Sequence, residues 1–222
     1  MNSLFKKGST KLLILLLLAD LAFIVVHIIF ELFLKSNTLF SINRDLGYAE
    51  VYQYIKEFWI LVLLFVLAVK SKRMIYFSWS LLFLYLLLDD SLQLHENIGS
   101  YLANHHQLQP VFRLRAQDLG ELMVFVSVGF LLFSFVGGAY FYSDDSGKEI
   151  SKHLFILVIS LAFFGGLVDM LHIAVSFGKP VFALIEDGGE MIIMSIIVWY
   201  VFDIRSHQLY NSDNAKIVEQ NR

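Results

Sequence analysis

The chain has 222 residues, of which 57% are hydrophobic, with a formal net charge of −3 and no cysteine. Its mean hydropathy is +0.65. A soluble domain averages nearer 45–50% apolar, but it is the long apolar runs, rather than the overall composition, that point to a membrane. The charge excludes a general case for nucleic-acid binding, and the missing thiols exclude disulfides, thiolate metal sites and cysteine nucleophiles.

A helix crossing roughly 30 Å of hydrocarbon needs about 20 mainly apolar residues. Six stretches meet this: 11–34, 51–70, 74–98, 118–142, 153–175 and 181–203. The expected fold is all-α, a polytopic bundle of about six transmembrane helices. Residues 1–10 precede it, 11–203 form it, and 204–222 follow as a polar tail. Lys6, Lys7 and Lys11 precede the first stretch, but Asp20 interrupts it and no small-residue cleavage pattern follows. It reads as a retained first span. The turn at 71–73 and the segment at 176–180 are short, while 35–50 and 99–117 are longer loops.

Six spans place both termini on one face. That face then carries eleven Lys and Arg, the other five, and Lys56 lies inside the second span. Positive charge favours the cytoplasm. The termini are therefore expected to be cytoplasmic, with Trp79, Tyr140, Tyr142, Trp199 and Tyr200 near the inner interface.

The acids follow helix direction. In odd spans they come late: Asp20 and Glu31, then Asp89, Asp90 and Glu96, then Asp169. In even spans they come early: Glu57, then Asp118 and Glu121, then Glu186, Asp187 and Glu190. His27, His95 and His172 do the same. Because the direction alternates, all of these fall between mid-membrane and the outer face. Residues three, four or seven apart share a helix face. Asp89, Gln93 and Glu96 therefore form one stripe. Asp20, His27 and Glu31 share a face, and Asp169 with His172 and Asp187 with Glu190 are pairs. Gly165, Gly166, Gly188 and Gly189 permit close helix approach beside them.

From Asp20 to Glu190 the outer half holds fourteen acids against six Lys and Arg. So many carboxylates repel unless they are protonated or neutralised. A divalent metal would neutralise them, with Asp89, Asp90, His95, Asp169, His172, Glu186, Asp187 and Glu190 as candidate ligands. An oxygen and nitrogen ligand set suits zinc, iron or manganese. Glu96 or Glu121, outside the ligand set, would act as general base. The expected function is a membrane-embedded hydrolase or oxidoreductase acting on lipid-like substrates from the surrounding membrane lipid. The alternatives are a proton- or cation-coupled transporter or channel, and an accessory membrane subunit. Glu31, Glu50 and Glu57 read as interfacial, His105 and His106 as solvated loop residues, and Arg113 and Arg115 as partners for nearby acids, with an anionic headgroup as the alternative.

The run Leu88-Asp89-Asp90-Ser91-Leu92-Gln93-Leu94-His95-Glu96, followed by Glu186-Asp187-Gly188-Gly189-Glu190-Met191, resembles a set of uncharacterised bacterial multi-pass membrane proteins. In those, two acids precede a His-Glu pair and an acidic cluster marks the last helix. The resemblance implies a shared site and no particular activity, and it alone implies that the membrane is a bacterial inner membrane. Ser91, His95 and Asp118 also resemble part of the pattern of the alkaline ceramidase and adiponectin-receptor superfamily, seven-helix zinc amide hydrolases. That pattern ends in two histidines four apart, where this chain has Glu186 and Glu190.

Overall fold

The computed structural model describes residues 3–34, 38–111, 114–168 and 179–220. Asp169 and His172 lie outside the described residues, as do Lys35 and Arg113. Among the described residues the fold is all-α, with seven α-helices and no strand beyond a single bridge at Val111 and Leu114. The helices are α1 (Ser3–Ile29), α2 (Tyr48–Ser71), α3 (Met74–Leu92), α4 (Leu94–His105), α5 (Ala116–Phe141), α6 (Asp145–Ala162) and α7 (Lys179–Gln220). Two short π-helical segments, Phe30–Leu34 and Phe163–Val168, continue α1 and α6.

Among the described residues four stretches are long and apolar enough to cross a membrane: Gly8–Phe33, Met74–Leu92, Ala116–Phe141 and Asp145–Gly166. Their outward residues, including Leu15, Phe33, Phe130 and Ile156, are exposed, as lipid-facing side chains are. Helices α2 and α7 pack against each other and against α1. In α2, Lys56 and Glu57 are both buried.

Local chemistry sets the helix ends. α2 stops at Lys72, whose left-handed backbone (φ 54°) turns the chain straight into α3 at Arg73. Arg73 pairs with Asp144 at 2.9 Å, and Asp144 also caps α6 by accepting from the Gly147 N–H. α5 starts at a capping box. The Asp118 carboxylate takes the Arg115 backbone N–H at 2.7 Å and the Arg115 guanidinium at 2.6 and 2.9 Å. Arg115 thus pairs with an acid as expected, and Asp118 serves the helix end.

The third span is shorter than its hydropathy suggests. Gln93 adopts a left-handed conformation (φ 51°) and its N–H returns to the Asp89 carbonyl, so α3 closes at Leu92. The expected 74–98 helix is therefore two helices, and Asp89, Gln93 and Glu96 do not form a continuous stripe. Residues 99–105, expected within the loop 99–117, belong to α4. α4 packs closely on α5, because an added Cβ on Gly120 would sit 2.1 Å from the Gly99 carbonyl oxygen. At the far end, the helix that covers the expected span 181–203 runs on through the polar tail to Gln220.

Contacts between helices fix their relative levels. At the end that carries the termini, Trp199 donates to Ser9 at 2.7 Å and His153 pairs with Tyr200 at 2.9 Å. Next comes an apolar layer of fully buried side chains, among them Leu64, Tyr76, Trp79, Phe83, Leu154, Ile197 and Val201. Trp79, expected at an interface, is enclosed there and donates to Ser151 at 3.0 Å. Above that layer lies one buried cation. The Lys56 ammonium donates to Asp20 at 3.1 Å, to the Met191 carbonyl at 2.9 Å and to the Ser195 hydroxyl at 3.4 Å, and it stands over the Tyr52 ring. These contacts bind α1, α2 and α7 together.

Removing one partner of a buried ion pair leaves an uncompensated charge and costs about 3–5 kcal/mol. Lys56→Met alone is expected to destabilise the protein by that order, and Lys56→Met with Asp20→Leu to recover most of it. Thermal unfolding in one detergent checks both variants.

Candidate functional site

Two adjoining cavities lie at the end of the bundle away from the termini. The larger, about 740 Å³, reaches down between α2, α3, α5, α6 and α7. The smaller, about 480 Å³, opens above it beside α4. They share Asn43, Asp45, His95, Glu121, Gly165 and Asp187. Together they are lined by ten acids: Asp45, Glu50, Glu57, Asp89, Asp90, Glu96, Glu121, Glu186, Asp187 and Glu190. Arg44, Arg115 and His95 are the basic groups on the same walls.

Each wall has a local cause. Asp89 comes from the last turn of α3, and the left-handed Gln93 swings α4 back towards it. The Asp89 carboxylate then accepts the His95 backbone N–H at 2.8 Å and faces the His95 Nδ1 at 3.0 Å. It caps the first turn of α4 and holds the imidazole at the junction of the two cavities. Glu121 sits one residue after Gly120, where α5 crosses Gly99, and Gln117 donates to it at 2.8 Å. Glu190 on α7 lies against Gly165, where an added Cβ would fall 1.8 Å from its Oε1. Gly189 similarly makes room for the Phe164 ring. The expected role of these glycines in close helix approach holds for Gly165 and Gly189.

The loop 41–47 contributes Asn43, Arg44 and Asp45, which were not singled out in the sequence. His27 Nδ1 accepts the Ile42 N–H at 3.2 Å and fixes that loop to α1. Gly47 is required at its end, because a Cβ there would lie 2.6 Å from the Arg44 carbonyl. The Glu50 carboxylate accepts the Leu46 N–H.

Of the expected ligands, Asp89, Asp90, His95, Glu186, Asp187 and Glu190 all line these cavities, as do the expected bases Glu96 and Glu121. Asp20, His27 and Glu31 do not. Asp20 serves Lys56, His27 serves the loop, and Glu31 is exposed. Glu50 and Glu57, expected at the interface, line the larger cavity, and Glu57 is only 1% exposed. Glu57 and Asp90 reach each other across α2 and α3. Among the described residues no three His, Asp or Glu side chains are grouped to hold a metal ion.

The hydrogen bond from Asp89 holds the His95 imidazolium up to about 9, against the opposing pull of burial. Burial raises the Glu96 carboxyl beside it, with His95 acting the other way. At neutral pH His95 is thus a proton donor, next to carboxyls suited to accept one.

The lower part of the larger cavity is apolar. Leu82 and Leu86 line it from α3, Phe125, Val126 and Phe130 from α5, and Val158 and Ile159 from α6. Phe130 is 77% exposed and Val126 59%, so this part opens sideways where α5 and α6 barely touch. From Glu121 to Phe133 the α5 wall extends about 18 Å at 1.5 Å per residue.

A family model described as a domain of unknown function, DUF8692, matches residues 12–206. The chain belongs to that family. The matched DUF8692 region contains every residue that lines the two cavities. No curated protein and no solved structure matches the chain.

The His95 shift has a definite sign. An imidazole raised above its ordinary value near 6.5 adds stability that is complete below that value and fades as pH rises through about 9. NMR titration of the ring is expected to show a midpoint near 9. Asp89→Asn should bring it back towards the ordinary value, whereas an unchanged midpoint would remove Asp89 as the cause.

Proposed function

We propose that this DUF8692 protein is an integral membrane enzyme acting on a lipid-like substrate by acid–base chemistry. In this reading α2 and α7 join the four strongly apolar helices as spans, giving six. The termini face the cytoplasm of a bacterial inner membrane, and the cavities open at the outer half. The observation that carries the proposal is a single cavity with a carboxylate and imidazolium end and an apolar throat open between α5 and α6. That is the shape of an amphiphile lying in the outer leaflet, with its head against His95, Glu96 and Glu121 and its tail along Leu86, Val126 and Phe130. His95 donates a proton to the reacting head, and Glu121 or Glu96 accepts one.

The buried layer around Tyr76, Trp79, Phe83 and Leu154 supports an enzyme over a transporter, because it seals the cavity from the opposite face with apolar side chains. A divalent metal, as expected from the sequence, would need Asp169 or His172 to join the carboxylates present. It would supply a Lewis acid beside His95.

Gly129 lines the throat with open space around it, so Gly129→Phe should fill the throat and leave the fold intact. Lipid carried through purification, read by mass spectrometry, is expected to fall at least tenfold in this variant at unchanged helicity. His95→Gln should keep the lipid but lose conversion of a membrane lipid extract to product. Proton or cation flux into proteoliposomes that depends on Asp90 would overturn the enzyme in favour of transport.

A further inference from the structure

Lys56 is the only ammonium among the described residues that is wholly buried next to the cavity floor. An ammonium has three N–H donors. Here they go to Asp20, Met191 and Ser195, and none goes to a cavity acid. On the same helix, at the next residue and one turn back, two acceptors remain unmet. Glu57 Oε2 and Gln53 Oε1 are buried without a hydrogen-bond partner, and both residues line the larger cavity. Residues 53 and 57 share a helix face, and Asp90 stands opposite them. A buried acceptor left unsatisfied is destabilising, and a charged one more so. Among the described residues no donor reaches either oxygen, and the Asp90 beside Glu57 is itself a carboxyl, so the donor belongs to whatever fills the cavity.

Building on the proposed lipid-like substrate, we propose that its head carries a protonated primary amine, which donates to Glu57 Oε2 and Gln53 Oε1. The amine nitrogen sits between α2 and α3 beside Asp90, and the attached chain runs down the throat. A primary ammonium offers several N–H donors and one positive charge, which matches one buried carboxylate with a neutral acceptor beside it. A quaternary ammonium brings charge without donors and leaves both oxygens unmet. A metal ion would need at least three converging ligands, and the described residues offer no such group.

The test measures binding of a sixteen-carbon primary alkylamine, the matching alcohol and the matching trimethylammonium to the full chain in nanodiscs at pH 7. Wild type is expected to hold the amine at least tenfold tighter than the alcohol and several-fold tighter than the trimethylammonium. Glu57→Gln should bring amine and alcohol to within about twofold without weakening the alcohol. Gln53→Leu, which keeps the charge, should lose part of the preference and serves if Glu57→Gln does not fold. Equal binding of amine and alcohol by wild type would overturn the amine while leaving a lipid-binding cavity. So would displacement of the amine by micromolar MnCl2 or ZnCl2 in wild type but not in Glu57→Gln, which would reassign the site to a metal. Binding of none of the three amphiphiles would overturn the amine together with the lipid-like substrate beneath it.

Discussion

Everything at the carboxylate end of this bundle rests on the buried ammonium of Lys56. Lys and Asp are costly inside a bilayer unless they meet each other, and here Lys56 meets Asp20 with both almost fully enclosed. Its two remaining N–H groups reach a carbonyl and a hydroxyl on α7. Three helices are thereby pinned at one level. That level puts Glu57 and Gln53, on the flank of α2 beside Lys56, against Asp90 and Glu190 rather than lipid. The floor below is apolar and fully packed. The polar cavity is therefore closed at its floor, opening sideways between α5 and α6 and upward beside α4.

The second constraint is the break at Gln93. A continuous α3 would have carried Glu96 straight out of the bundle. The left-handed residue folds α4 back onto α5, and the Gly99–Gly120 crossing brings the two backbones into contact. Asp89 joins the two halves of the break by accepting from the backbone and ring of His95. One residue thus ends α3 through its backbone carbonyl, and through its carboxylate caps α4 and sets the orientation and charge of the imidazole. Helix ending, helix packing and acid–base chemistry depend on the same few atoms.

Much of this was legible in the sequence. The all-α class follows from long apolar runs, and the shared level of the acids follows from their order reversing with helix direction. Three features were hidden for physical reasons. Gln93 carries no turn signal of its own. Non-glycine residues adopt the left-handed region only when surrounding contacts impose it, so the run 88–96 reads as unbroken helix. Lys56 and Asp20 lie 36 residues apart, and nothing local marks them as partners. Glu57 looked interfacial because its span begins with Tyr52, Gln53 and Tyr54, yet these polar residues face neighbouring helices. Asp118, in contrast, carried the signal of a helix start, three residues after Arg115, and proved to be a cap.

The chain's lack of cysteine allows a direct test of the claim that these groups share one face. Asp45→Cys, Glu121→Cys, Asp187→Cys and Glu190→Cys would each be exposed to a membrane-impermeant maleimide in sealed, oriented vesicles, with Asp145→Cys marking the end that holds the termini. All four are expected to react from the face opposite Asp145→Cys and to be shielded from its own face. Labelling that divides the four between the two faces would contradict a common cavity.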